Sequence, residues 1–229
     1  MTPPRLFVIG TFDQALEDLF DVDLMRCLSE AGVGPAGVVF KRSTPALNPA
    51  SPGAHGLDAA GRTVLQVDDF NAPAAISRIA ALEPDLLVYA GGRDLLRRPL
   101  LDSARLGCLG GHYGRLPTIR GMGTVEWSVL LGERPAVAIQ FISPGIDVGD
   151  VVMQATVPLK AGDTFVAIRE RSYFLTKVML ALSARRVLLD GLRGAPQALA
   201  AGRQYYRLHP ALHQRAERAL TRLLPREPV

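Results

Sequence analysis

Five short apolar runs bounded by Gly, Pro or Asp, at residues 5–10, 37–40, 64–67, 86–90 and 107–111, punctuate the first half of this 229-residue chain. Each has the length of a strand, and a run that is apolar at nearly every position suits a strand buried on both faces of a parallel sheet. Helical patterns separate the runs. Leu16, Leu19, Phe20, Leu24 and Cys27 share one face of a helix predicted over 16–31, and a second helix over 71–82 stops before Pro84, because proline cannot continue a helix. Strands alternating with helices predict an α/β fold with a mostly parallel sheet, flanking helices and right-handed crossovers. After residue 134 the period changes. Runs at 136–143 and 150–159 are β-rich and joined by the turn PGIDVG, which predicts a late antiparallel hairpin. Residues 164–192 then read as a long amphipathic helix, and 43–63, rich in Pro, Gly, Ser and Ala, as an exposed loop.

A length of 229 residues with 48% hydrophobic content suits one α/β domain with a sizeable core. We expect that domain over 1–202 and a C-terminal amphipathic helix and tail over 203–229, where Leu208, Leu212, Ala216, Ala219 and Leu223 recur at near-helical spacing opposite arginines. The helix is expected to pack on the domain or on a second subunit of a homodimer. The net charge of +4 resides wholly in this tail, which holds six arginines against Glu217 and Glu227, while the first 202 residues balance 20 basic against 20 acidic groups. A basic stripe on one terminal helix is most often a solvated face, so no nucleic-acid partner is expected. The N-terminal run MTPPRLFVIGTF is too short for a signal peptide or a membrane span, which predicts a cytoplasmic protein without a membrane partner. The two cysteines, Cys27 and Cys108, fit reduced thiols better than a disulfide framework. His209 and His213 lie four apart but lack a third ligand, so no metal is expected. Neither IGTFDQAL nor AGGRDLL completes the glycine pattern of a dinucleotide site.

Chemistry concentrates between Gly107 and Asp150, where His112 is followed by Leu116-Pro117, Arg120-Gly121 and Asp147-Val148-Gly149-Asp150. In order and spacing this series resembles the folate-dependent formyltransferase family, whose pattern is Asn-x-His, a Leu-Pro segment leading to Arg-Gly, and an Asp-x-Gly-Asp loop. The resemblance extends over roughly residues 5–190 and is densest over 86–159. It implies transfer of a formyl group from 10-formyltetrahydrofolate to the amine of a small molecule, such as an amino sugar or an amino acid derivative. The methionyl-tRNA enzymes of the family carry a further C-terminal β-barrel, so tRNA is not the expected acceptor here. Two alternatives accompany this expectation: hydrolysis of 10-formyltetrahydrofolate, with water replacing the amine, and a non-transferring relative that keeps the fold or the folate pocket.

The resemblance assigns catalysis to His112 and Asp147. An imidazole can donate to the oxyanion that forms on the formyl group, and a carboxylate beside it favours the charged ring and can relay a proton. Asp150 competes with Asp147, and the family pattern favours the first of the two. The segment after the fourth strand implies that Tyr89, Leu95 and Leu96 line the pterin pocket, that Asp94 contacts it through its backbone, and that the turn holding Ile146 closes over the ring. Arg120, Tyr113 and Glu126 are the expected acceptor-side residues, Arg120 through its bidentate fork for phosphate or carboxylate. One position departs from the pattern: Gly110 stands where the family has its asparagine, a second oxyanion donor. A backbone N–H or water at Gly110-Gly111, a nearby side chain such as Tyr113 or Thr124, or loss of transfer would each account for it.

Overall fold

The computed structural model describes residues 3–12, 22–42, 61–91 and 94–225. Along the chain run β1 (Leu6–Phe12), α1 (Val22–Glu30), β2 (Gly37–Arg42), β3 (Thr63–Gln66), α2 (Pro73–Ala80), β4 (Leu86–Gly91), α3 (Arg98–Leu101) and β5 (Cys108–His112). There follow β6 (Ile119–Gly121), α4 (Thr124–Leu130), β7 (Ala136–Phe141), β8 (Val151–Thr156), α5 (Phe165–Leu189), β9 (Arg203–Tyr205) and α6 (His213–Leu223). Seven strands form one sheet in the order β3-β2-β1-β4-β5-β7-β8. The first five are mutually parallel, while β7 runs antiparallel to both β5 and β8. The mostly parallel sheet and the late hairpin are both present.

Burial on two sides explains why the strands read as continuous apolar runs. Leu6 and Val8 of β1 and Leu86 and Val88 of β4 enter one core layer, whereas Phe7, Ile9 and Leu87 enter the other. Helices α1 and α5 cover the first layer through Leu24, Leu28, Leu180 and Ala184. Helices α2 and α3 cover the second through Ile79, Leu100 and Leu101. From β3 at one edge the chain returns to β4 beside β1, so the strand order reverses there, and open α/β sheets hold ligands outside the carboxyl ends of strands near such a reversal.

Three expectations meet the structure differently. Of the helix expected over 16–31, residues 22–30 are helical, while Leu16, Leu19 and Phe20 lie outside the described residues, as does the loop at 43–60. The tail does not start as a helix: Arg203, Gln204 and Tyr205 form β9, paired in parallel with Ile119, Arg120 and Gly121 of β6. The free edge of β6 supplies main-chain partners that outweigh helical spacing in a stretch containing two tyrosines. A 3-10 turn over Pro210–Leu212 then leads into α6. Leu208, Ala216 and Leu220 are buried in the first core layer, so this tail packs on the domain it follows. His209 caps the turn, its Nδ1 accepting from the Ala211 N–H.

Both cysteines are free, Cys27 half-buried and Cys108 buried. Among the described residues no helix is long and apolar enough to cross a membrane, and no cluster of His, Cys, Asp and Glu could hold a metal ion.

The entry to α5 is held by charge. Thr164 accepts from the Ala167 N–H, and Arg171 grips Asp163 with two bonds of 2.8 and 2.9 Å. The Arg171 hydrogen bonds hold the Asp163 carboxyl below its ordinary range, against the opposing effect of burial. A carboxyl whose pKa is lower folded than unfolded stabilises fully above its unfolded pKa and loses that contribution as pH falls through the folded value. Asp163→Asn is therefore expected to lower stability at pH 7 by about 1.5–3 kcal/mol. Urea unfolding at pH 7 and pH 3 checks this, because the gap from wild type should narrow at the lower pH.

Candidate active site

Two neighbouring strands place the polar groups. In the antiparallel β5–β7 pair, Gly110 stands opposite Gln140 and His112 opposite Ala138. Opposed residues share a face and alternate residues return to it, so Gly110, His112, Ala138, Gln140 and Ile142 all project from one side. Gly111 projects from the other, where an added Cβ would stand 2.3 Å from the Thr176 methyl on α5.

The His112 ring is 5% exposed and both its nitrogens are engaged. Nδ1 lies 3.2 Å from Asp147 Oδ2, and Nε2 donates to the Ile119 carbonyl at 2.7 Å. A carbonyl only accepts, so the Nε2 hydrogen is held at Ile119, and the Asp147 carboxylate stands beside the other nitrogen.

Asp147 sits at φ +53°, in the left-handed region that Asp tolerates better than most residues. Its Oδ2 also accepts from the Gly121 N–H at 2.8 Å, and its Oδ1 accepts from Gln140 Nε2 at 3.0 Å. From the segment after α5, Gln197 Nε2 donates to the carbonyls of Asp147 and Gly149 at 3.1 and 2.6 Å. Glycine is required at 149, where a Cβ would fall 1.7 Å from the Phe141 carbonyl oxygen. Asp150 is exposed, so of the two aspartates it is Asp147 that meets the histidine.

Beside this cluster lies a cavity of about 340 Å³. Tyr89, Leu95, Leu96, Gly110, Gly111, Ile142, Ile146 and Val148 line it, with Asp94, Gln140 and Asp147 among its polar lining. Leu96 is buried and Leu95 is 67% exposed at the rim. Residues 94–97 are not helical, since α3 begins only at Arg98; Asn71 pegs them by donating to the Leu95 carbonyl and accepting from the Arg97 N–H. The carboxylate of Asp94 takes Lys41 Nζ and the Thr11 hydroxyl, each at 2.5 Å. The buried Tyr89 hydroxyl has no hydrogen-bond partner among the described residues. Burial first, then the Asp94 charge, raises its pKa above the ordinary range. Gly92 and Arg93 lie outside the described residues. Apolar walls with a few fixed polar groups suit a flat heteroaromatic ligand.

The expected acceptor-side residues stand away from this cavity. Tyr113 follows His112 and so points to the opposite face, where it meets Tyr173 of α5 edge-on at 4.9 Å. The Glu126 carboxylate is buried in an ion pair with Arg169 of α5. Arg120, on β6, reaches the Gly202 carbonyl at 3.5 Å, and its buried Nε has no partner among the described residues. The Thr124 hydroxyl donates to the Tyr113 carbonyl at 2.5 Å. Trp127 leans on Tyr205 at 4.9 Å and donates to the Tyr206 carbonyl.

Three residues absent from the sequence expectations shape the site: Gln140, Ile142 and Gln197. Gln140 was visible as the lone polar residue in the run AVAIQFI, but Gln197 left no signal in its segment.

A family model described as Formyl transferase matches residues 44–182. The chain belongs to the formyl transferase family. A methionyl-tRNA formyltransferase of Bacillus subtilis (strain 168) is 29% identical over 173 residues, 73% of this chain and 52% of its own length. The chain spans about half the length of the curated relatives it matches, 35% of one from Syntrophus aciditrophicus (strain SB) and 62% of one from Halorhodospira halophila (strain DSM 244 / SL1). A phosphoribosylglycinamide formyltransferase from Anaplasma phagocytophilum superposes with TM-score 0.65 at 18% identity, covering 90% of this chain and 100% of that one. An N-formyltransferase from Helicobacter canadensis, solved with folinic acid and dTDP-3-aminofucose, superposes with TM-score 0.62 at 13% identity, covering 89% and 71%. At these identities the structural likeness establishes the fold.

The space in front of Gly110 is filled by Ile142, whose Cδ1 and Cγ1 lie 2.7 and 2.9 Å from where a Cβ would stand. Overpacking of this kind costs about 1–3 kcal/mol. Gly110→Asn is expected to lose stability in that range, and Gly110→Asn/Ile142→Ala to recover part of it, as read by denaturant midpoints.

Proposed function

We propose that this formyltransferase moves the formyl group of 10-formyltetrahydrofolate to the amine of a small molecule, an amino sugar or an amino acid derivative. The observation that carries the reading is the buried His112–Asp147 pair, 3.2 Å apart, beside a cavity with apolar walls.

The residues present fit the head of the donor. Tyr89, Leu95, Leu96 and Ile146 would hold a pterin ring, with Asp94 contributing its backbone because its carboxylate is already paired. The Tyr89 hydroxyl, buried without a protein partner among the described residues, offers a polar contact to the ring edge. A volume of about 340 Å³ lies at the small end of ligand pockets and leaves the rest of a folate outside. The folinic acid bound by the Helicobacter canadensis enzyme supports the same class of donor. The relatives named above are transferases, and the hydrolytic alternative draws no support from them.

When bound, the donor supplies an electrophilic formyl carbon: the acceptor nitrogen's lone pair makes the new bond, the bond to the carrier nitrogen breaks, and one proton passes from acceptor to carrier. The chain's own groups divide the remaining work. The His112 ring sets a fixed dipole near the formyl oxygen, and preorganised dipoles in a dry site stabilise developing negative charge far better than water does. The bond from Nε2 to Ile119 fixes the ring. Asp147, which lines the cavity, is positioned to take the amine proton directly or through one water.

Calorimetry with 10-formyl-5,8-dideazafolate, a stable donor analogue, tests the donor site; micromolar binding is expected, and no binding removes the reading. Turnover of 10-formyltetrahydrofolate with nucleotide-linked amino sugars, amino acids and methionyl-tRNA tests the acceptor. Release of tetrahydrofolate is expected only with a small amine, and formylation of methionyl-tRNA alone would overturn that part. His112→Ala should lower turnover about 10²–10⁴-fold; unchanged turnover would refute the mechanism.

A further inference from the structure

Position 110 has no side chain, and Ile142 covers it. Its cross-strand partner is Gln140. Side chains directly opposed in an antiparallel pair leave the sheet on the same face, roughly 5 Å apart at Cβ. Gln140 therefore leaves the sheet on the face from which a side chain at 110 would project, beside Ile142, which fills the space in front of 110. Gln140 is 6% exposed and lines the cavity.

Its partners fix which end of the amide points where. Oε1 accepts from the Gly149 N–H at 3.2 Å and from Gln197 Nε2 at 3.4 Å, while Nε2 donates to Asp147 Oδ1 at 3.0 Å. A flipped amide would set N–H against N–H at Gly149 and oxygen against carboxylate at Asp147. An amide nitrogen carries two hydrogens, and the bond to Asp147 uses one. The Asp147 carboxylate thus stands 3.2 Å from His112 at Oδ2 and accepts from Gln140 at Oδ1, and both Gln140 and Asp147 line the cavity.

We propose that Gln140 is a catalytic residue of the formyl transfer, giving its second Nε2 hydrogen to the formyl oxygen as negative charge builds there. The proposal rests on the formyl-transfer reading above. As the acceptor nitrogen bonds to the formyl carbon, the carbonyl π pair moves onto oxygen; it returns when the carrier nitrogen leaves with its electron pair. Gln140 lends a hydrogen bond throughout and loses no proton. Neither Tyr113 nor Thr124 can take this part, since Tyr113 faces α5 and the Thr124 hydroxyl is held by the Tyr113 carbonyl. Removing one such donor from an enzyme typically slows turnover about 100- to 1000-fold.

The test needs no acceptor. The protein is loaded with 10-formyl-5,8-dideazafolate carrying ¹³C in the formyl group, and the formyl C=O band is isolated by isotope-edited infrared spectroscopy, with affinity from calorimetry. Wild type is expected to show the band at lower frequency than Gln140→Met, which keeps the length and burial of the side chain but has no N–H. Affinity should weaken by about tenfold or less, the worth of one neutral hydrogen bond. Gln140→Asn, which withdraws the amide by one methylene, should give the same upward shift. Gln140 also steadies the Asp147 turn, so a relocated donor separates the two roles: Gln140→Met/Gly110→Asn/Ile142→Ala should bring the band back toward wild type, which restored turn packing alone would not do. An unmoved band in Gln140→Met and Gln140→Asn, with the analogue bound, overturns the proposal, as does failure of the relocated amide to restore it. No binding by wild type overturns the formyl-transfer reading itself, and this proposal with it.

Discussion

A single carboxylate holds the site together. Asp147 stands 3.2 Å from the imidazole of β5 and accepts from the amide of β7 and the backbone N–H of Gly121 at the end of β6, so it ties the main sheet to the small two-stranded one. Each of those donors is buried or half-buried, and a buried donor left without an acceptor costs about 1–3 kcal/mol. The left-handed backbone at Asp147 costs a similar amount, of order 1–3 kcal/mol. Gln197, reaching in from beyond α5, offsets that cost by holding the turn through two carbonyls. The site is thus stabilised by a residue far from it in sequence, and its geometry depends on the segment after α5 folding back.

Much of this architecture was legible along the chain, for a physical reason. Parallel strands buried on two faces must be apolar throughout, and a hairpin needs a turn, so Leu6–Ile9, Leu86–Val88 and the PGIDVG turn announce themselves. The histidine and the aspartate were visible through the family resemblance, whose motifs keep their order along the chain. Side-chain direction was not. Tyr113 was grouped with His112 by adjacency, yet one step along an extended chain reverses the face, and it went to α5. Glu126 offered a carboxylate in a first helical turn, but Arg169 lies 43 residues later, and no local pattern foretells that ion pair. The tail shows the same limit: helical spacing over 208–223 was real, but pairing with β6 decides residues 203–205.

The antiparallel placement of β7 matters more than its presence. Had β7 joined β5 in parallel, slanted bonding would have offset the side chains, whereas the antiparallel register sets Gly110 squarely against Gln140 and His112 against Ala138. A small alanine opposite the imidazole and an amide opposite a glycine are complementary pairs. In each pair one strand yields volume and the other supplies a polar group. Ile142, diagonal to Gly110 on the same face, closes what remains of the gap with hydrocarbon.

That apolar cover bears on how the amide works. A hydrogen-bond donor contributes most where water cannot compete for it, and Ile142 and Ile146 line the same cavity as Gln140. On the proposed reading the second N–H of Gln140 waits without an acceptor among the described residues, a cost offset by three anchoring bonds to Asp147, Gly149 and Gln197. The formyl oxygen then meets a donor that need not turn or shed water. Because charge on that oxygen grows only as the new bond forms, the interaction strengthens along the reaction rather than on binding, and it is this difference that accelerates a step. An asparagine at 110 would come from β5, whereas Gln140 comes from β7 and is bonded to Asp147. On the proposed reading, oxyanion donor and proton acceptor are then joined by one hydrogen bond, and whatever shifts the Asp147 turn bears on both.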